Sequence, residues 1–301
     1  MDSAEPNFDV AIATDRTAPR LDPDNALLLS ELERRGVRAQ PVVWDDPSFD
    51  PTQFRSCVIR STWDYLDHPA AFLDWAERTA KATRLLNPPS ALRWNSHKRY
   101  LVELASAGVP TVDTEWVEVG DDRTLADVLS ARGWDRAVVK PAVSASGRGT
   151  FRVDRRDAAA SEEAFAEARR HGDVLVQTYL STVEAIGEIS LVFVGGRFAH
   201  AVRQKPAVGD FRVQAEFGGE RQLESPGTAA LLLADRVLGA APTRDLLYAR
   251  VDLLTDVDGD YLLNELELIE PCLHLAAAAS TVSRLADAIE RMALERAPWL
   301  A

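Results

Sequence analysis

The chain has 301 residues, 46% hydrophobic and 27% charged, the make-up of an ordinary soluble globular protein long enough for two or three lobes. A formal net charge of −13 argues against non-specific binding to nucleic acid or to an anionic membrane, so any phosphate ligand must be met by locally clustered Lys, Arg or metal. Only two cysteines occur, Cys57 and Cys272, without metal-ligand spacing; no export signal opens the chain and no apolar run reaches membrane-spanning length, so a reducing cytoplasm is the expected compartment.

In chain order, the pattern predicts a strand over Phe8–Thr14, a helix over Ala26–Arg35 stopped by Gly36, and strands over Val37–Trp44 and Val58–Arg60. Helical patterning resumes over Pro69–Thr83, so this segment alternates strand and helix as a small parallel α/β unit whose ligands sit beyond strand C-termini. Asn87-Pro88-Pro89-Ser90 reads as a linker, because proline breaks both periodic patterns, and a boundary is placed there. Ser96 is expected to cap a helix over His97–Ala107 that ends at Gly108. Next come a strand over Ala137–Lys140, a loop from Pro141 to Thr150, a strand over Phe151–Val153, a helix over Ser161–Arg170 and a strand over Val174–Thr178, in outline a βββαβ-like lid. A hairpin turning at Gly195-Gly196 joins strands over Glu188–Val194 and Arg197–Arg203, a helix covers Thr228–Leu238, and a terminal helix runs from about Thr281 to Arg296.

Two segments carry chemistry. In the loop after Lys140, small residues (Ser144, Ser146, Gly147, Gly149, Thr150) let backbone amides approach phosphate oxygens, with Lys140 as counter-charge. It is neither a Walker A loop nor a dinucleotide fingerprint, and on its own it reads more readily as a mobile hairpin turn than as a phosphate cover. The second segment is Tyr248–Leu254, an Asp258-Gly259 turn and Tyr261–Leu268. A two-residue turn pairs Val257 with Asp260, and counting outward sets Asp252 opposite Glu265 and Arg250 opposite Glu267, with Glu267 on the face of Glu265. Facing carboxylates need solvent or a cation, so a wet acidic face and a hard divalent metal such as magnesium both stay open. A calcium loop over Asp256, Asp258, Asp260 and Glu267 is discounted, since its glycine position is Tyr261.

The order Lys98, Val138-Val139-Lys140-Pro141 with its loop, Val174–Leu180, Gly187-Glu188, Gly209–Gln214, Asp252 and Glu265-Leu266-Glu267 resembles the ATP-grasp superfamily. Arg60–Tyr65, Trp94–Leu101 and Glu265–Pro271 extend the likeness over nearly the whole chain, to the branch containing the O-ureido-serine cyclo-ligase of D-cycloserine biosynthesis. Glutathione synthetase and ribosomal-protein glutamate ligases are more distantly similar. The resemblance implies an α/β (α+β) ATP-grasp fold with a Rossmann-like pre-ATP-grasp substrate domain (1–88), a central lobe with a lid (89–180) and a C-terminal metal-binding lobe (181–301). It implies that Lys98 and Lys140 contact ATP phosphates, that the 144–150 loop closes over them and that the backbone of Gln177, Thr178, Tyr179 and Leu180 reads adenine. Glu184 is the ribose candidate, and Glu188 is placed among the cofactor-binding residues. Arg212 would stabilise the transferred phosphoryl group with Lys140, Arg60 would anchor substrate, and Asp252, Glu265 and Glu267 would hold one or two Mg2+, with Mn2+ as a substitute. The implied activity is an ADP-forming carboxylate–amine ligase acting through an acyl phosphate on a small amino-acid-like substrate, cyclising O-ureido-serine in antibiotic biosynthesis. Intermolecular peptide or amide ligation and a non-catalytic nucleotide-binding module are the alternatives. Homo-oligomerisation is left open, and neither nucleic acid nor membrane is an expected partner.

Overall fold

The computed structural model describes residues 6–145 and 147–294. Parallel strands β1 (Phe8–Thr14), β2 (Ala39–Val43), β3 (Phe54–Ser61) and β4 (Arg84–Leu86) form a first sheet in the order β2-β1-β3-β4. Helices α1 (Pro23–Arg34) and α2 (Pro69–Ala82) connect them; α1 starts where Asp22 accepts from the amides of Asp24 and Asn25. Strand β4 was not expected, because three residues are too few to show a period.

The proposed linker is structured. Pro89 opens helix α3 (Pro89–Asn95), and Asn87 is buried, its Nδ2 donating to the carbonyls of Tyr248 (2.9 Å) and Leu268 (2.8 Å) while Oδ1 accepts from the Leu247 amide. Ser96 ends α3 rather than starting the next helix, with its Oγ donating to the Arg93 carbonyl; α4 begins only at Tyr100 (Tyr100–Ser106). The Lys98 amide donates instead to the Ala142 carbonyl (2.8 Å), which draws residues 97–99 out of helix and across to the second sheet.

That second sheet, antiparallel, has the order β5-β8-β6-β7, from β5 (Thr114–Val117), β6 (Arg136–Pro141), β7 (Phe151–Asp154) and β8 (Val174–Thr178). Helices α5 (Leu125–Arg132) and α6 (Ala158–Arg170) cover it around Leu129 and Phe165; β5 and α5 complete the anticipated lid outline. After the short helix α7 (Thr182–Ala185), a third sheet has the order β11-β10-β9-β12-β13, all antiparallel. Its strands are β9 (Glu188–Val194), β10 (Arg197–Lys205), β11 (Glu220–Glu224), β12 (Tyr248–Thr255) and β13 (Tyr261–Glu267). Helix α8 (Thr228–Ala240) packs on β12 and β13, and α9 (Ala279–Leu294) packs between β9 and α1, joining the third sheet to the first. Arg296, expected in the last helix, lies outside the described residues. Among the described residues no helix is long and apolar enough to cross a membrane.

Arg60, expected to anchor substrate, does not line the main cleft. It is 1% exposed; Nε donates to Asn25 Oδ1 and Nη2 to the Pro271 carbonyl (both 2.7 Å), with the guanidinium 4.8 Å from the Tyr248 ring centre. It ties the first sheet to the third lobe, as does the Tyr248 hydroxyl, 2.6 Å from the Ile59 carbonyl and 2.7 Å from that of Ile269. Arg60→Leu strands two buried acceptors and is expected to lower unfolding stability by about 2–4 kcal/mol, read from urea denaturation.

Candidate active site

The second and third sheets face each other across a cleft of about 400 Å3. Its floor is the hairpin β12–β13, and there the structure corrects the expected turn. Asp256 pairs with Asp260 (amide to carbonyl, 2.9 Å), so three residues, Val257, Asp258 and Gly259, make the bend, with Gly259 at φ +91°. A bulge then restores the register: Leu253 faces Leu263, yet Asp252 faces Glu265 and Arg250 faces Glu267. The extra residue is Asn264, which the bulge turns into the site, where it donates to Glu188 Oε2 (2.6 Å) and accepts from Lys140 Nζ (2.9 Å). Glu188 opens β9 immediately after Gly187, whose φ of +82° and position against the Gln204 carbonyl leave no room for a Cβ.

The three carboxylates do not stand as a bare cluster. Glu265 lies 3.2 Å from Lys98 Nζ and 3.3 Å from Lys140 Nζ. Burial alone would push its carboxyl up, but the two ammonium groups outweigh burial and bring it down to about 2. Arg250 bridges the other two, with Nη2 2.9 Å from Asp252 and 2.5 Å from Glu267; Ser190 adds a 2.6 Å hydrogen bond to Asp252. Among the described residues no three His, Cys, Asp or Glu side chains converge on one metal position. The donor set still fits a hard divalent cation in chemistry and in charge. With every carboxyl ionised, Glu188, Asp252, Glu265, Glu267 and Glu270 against Lys98, Lys140 and Arg250 would leave an excess of about two negative charges on a largely buried floor.

Burial, more than this charge balance, governs the titration of the floor. Burial, then the Asp252 charge, pushes Glu188 up to about 8; burial raises Glu267 to about 7, and burial followed by Glu267 raises Glu270 to about 8. Raised carboxyls bind more protons folded than unfolded, so their contribution is complete below the ordinary value of 4.5 and is lost as pH rises through 7 to 8. Glu265 acts oppositely, but only below that ordinary value. Without divalent ions, stability is therefore expected to fall by about 2–4 kcal/mol between pH 5.5 and 8. Urea titrations at four pH values read it; a flat or rising profile contradicts it.

The other candidate residues divide clearly. Lys98, Lys140, Ser144, Gly147 and Thr150 line the cleft, as do Gln177, Thr178, Tyr179, Leu180, Glu188 and Arg212. Gly149 sits against Pro141 rather than on the wall, and Ser146 lies outside the described residues. The Thr178 and Tyr179 amides already donate to the carbonyls of Asp113 and Arg136. Glu184 is not on the cleft wall: its carboxylate accepts from the Tyr179 hydroxyl (2.5 Å) and from Arg152 (3.1 Å). Arg212 is held by Asp210 at 2.8 Å and lies over the Phe217 ring at 3.6 Å. The sequence reading gave no role to Arg250, Asn264, Glu270 or His274, all on the wall. Arg250 was legible, two residues before Asp252 on the same strand face.

Residues 10–87 match the family model described as D-cycloserine synthetase DcsG, N-terminal domain, and residues 116–274 match that described as prokaryotic glutathione synthetase, ATP-grasp domain. The chain is 33% identical over 295 residues to the cycloserine biosynthesis protein DcsG of Streptomyces lavendulae, covering 93% of this chain and 97% of that one. It is 26% identical over 202 residues to a glutathione synthetase of Prochlorococcus marinus, covering 66% of this chain and 60% of that one. The crystal structure of D-cycloserine synthetase DcsG superposes with a TM-score of 0.85 at 30% identity, over 94% of this chain and 99% of that chain.

Proposed function

The chain belongs to the ATP-grasp ligase family that includes the cycloserine biosynthesis protein DcsG, and from that premise we propose that it closes the ring of O-ureido-serine with Mg·ATP. The observation that carries the reading is the Lys98–Glu265–Lys140 arrangement beside Asp252 and Glu267, at the foot of a cleft of about 400 Å3. ATP supplies a phosphoryl group that turns a carboxylate, a poor acyl donor, into an acyl phosphate open to attack by nitrogen. Magnesium would be held by Asp252, Glu265 and Glu267 and would neutralise phosphate charge.

The chain's own groups position and neutralise; no covalent nucleophile is required. Lys98 and Lys140 present ammonium groups from the floor, and Arg212 adds a guanidinium from the facing loop. Gly147 sits against Phe217 and Arg212, and Arg148 reaches Asp67 of the first lobe (2.8 Å); closing over bound nucleotide, the 144–150 loop would exclude water from a hydrolysable intermediate. Substrate carboxylate and attacking nitrogen belong to one molecule, so turnover needs no second amine.

The test is ADP release from Mg·ATP with O-ureido-serine alone, with the product weighed by mass spectrometry and the acyl phosphate trapped by hydroxylamine. Ring closure through the oxygen-bound ureido nitrogen gives an N-carbamoyl ring, from which water releases the carbamoyl group as carbon dioxide and ammonia; cycloserine formed this way without a second amine is the expected result. ADP formed only when a separate amine is added would instead assign intermolecular amide ligation. Nucleotide binding without ADP release across a panel of amino acids would leave a binding module.

A further inference from the structure

Beyond β13 the chain runs through buried Leu268 and Ile269 to Glu270, which is 7% exposed. Every other floor carboxylate has a side-chain partner: two lysines for Glu265, Arg250 for Asp252 and Glu267, Asn264 for Glu188. Among the described residues no cation lies within 4.0 Å of Glu270 and no side chain donates to it; Lys98 and Arg250 are engaged elsewhere. An isolated buried carboxylate is costly, and it either takes up a proton, the direction in which burial drives Glu270, or meets a cation.

Glu270 lines both the main cleft and a small adjoining pocket of about 30 Å3, shared with Tyr65, Asn95, Lys98, Glu265 and Glu267. That volume admits a group the size of one or two waters. Three carboxylates on the wall, Glu265, Glu267 and Glu270, repel an anion, and among the described residues they do not converge on one metal position. A protonated amine satisfies size and sign together, and the Tyr65 ring on the wall adds an attractive aromatic surface.

We propose that Glu270 anchors the substrate's α-ammonium group and so determines specificity for α-amino acids over their desamino counterparts. The inference rests on the ligase reading above. Nitrogen and carboxyl carbon in an α-amino acid are about 2.5 Å apart. An ammonium held at Glu270 therefore sets the carboxylate beside Lys98 and Glu267, at the phosphate end of the cleft. The same ion pair keeps the α-nitrogen protonated, hence not nucleophilic, and leaves the attack to the ureido nitrogen bonded to oxygen.

The experiment compares O-ureido-serine and a panel of α-amino acids with their desamino analogues, by steady-state ADP release and by calorimetry with Mg·AMP-PNP present. Wild type is expected to prefer the amino form at least 100-fold in kcat/KM. Glu270→Gln should raise KM at least tenfold with kcat moved less than threefold, and should cut the preference below fivefold, with Glu270→Asp partly restoring it. A wild-type enzyme indifferent to the α-amino group overturns the proposal without any variant. So does an unchanged KM and preference in Glu270→Gln, or a tenfold loss of Mg2+ affinity in that variant, which would make Glu270 a metal ligand. If O-ureido-serine is refused while another α-amino acid is turned over with Glu270-dependent preference, the cyclisation reading falls and this one stands. If O-ureido-serine cyclises equally well in wild type and Glu270→Gln, the reverse holds.

Discussion

Glu265→Gln is expected to lower kcat/KM for ADP release by about 10³-fold, measured in a coupled assay at a temperature where the variant is folded. The substitution keeps the shape of the side chain, so packing against the hairpin is preserved and only the charge is removed. That charge has two duties. It holds Lys98 and Lys140 at 3.2 and 3.3 Å, setting the spacing of the two ammonium groups on the cleft floor. It also faces Asp252 across the strand pair and, in the proposed mechanism, shares the divalent ion with it. With glutamine there, two buried lysines are left without their counter-charge and the magnesium site loses a ligand, so nucleotide phosphates meet a floor of the wrong geometry. Breaking a buried pair costs about 3–5 kcal/mol of stability, so circular dichroism must accompany the kinetics. Turnover within tenfold of wild type would remove Glu265 from the mechanism.

How much of this was legible in the sequence is best judged at the hairpin. Strands β8 and β9 were bounded correctly because apolar β-forming runs end at glycine or loop residues. The facing of Asp252 and Glu265 was also read correctly, although the turn was not: the three-residue bend and the bulge at Asn264 each shift the register by one and cancel. No local pattern announces that bulge. It is fixed by Lys140 and Glu188, residues distant in the chain that bond to the Asn264 amide group. Arg60 illustrates the opposite error. An arginine at a strand end beside Trp63, Asp64 and Tyr65 looks like a ligand anchor, yet Asn25 and Pro271, far away in sequence, bury it as a strut. Glu184 was misplaced for the same reason, its partner Arg152 lying on another strand. Residue type and strand alternation reveal which charges can share a face; which of them meet solvent, cation or one another is decided by tertiary packing.

Arg250→Leu tests whether the floor is built for a divalent ion. The guanidinium donates through Nε and Nη2 to Asp252 and through Nη2 to Glu267, with its side chain only 11% exposed. Leucine leaves both buried carboxylates uncompensated, and in the absence of divalent ions stability is expected to fall by about 3–5 kcal/mol. Arg250→Lys retains the charge but loses the planar fork that reaches two acids at once, so its loss should be intermediate. A floor already carrying an excess of negative charge gains affinity for a cation when one of its own is removed. Magnesium at about 100 times its dissociation constant should then restore about 2.7 kcal/mol to Arg250→Leu. The same addition should restore less to wild type, where Arg250 already neutralises Asp252 and Glu267. The measurement is thermal or urea unfolding with and without MgCl2 at matched ionic strength, which separates site binding from general screening. If Arg250→Leu is as stable as wild type, or magnesium raises both proteins equally, the three acids are not arranged to share a divalent ion.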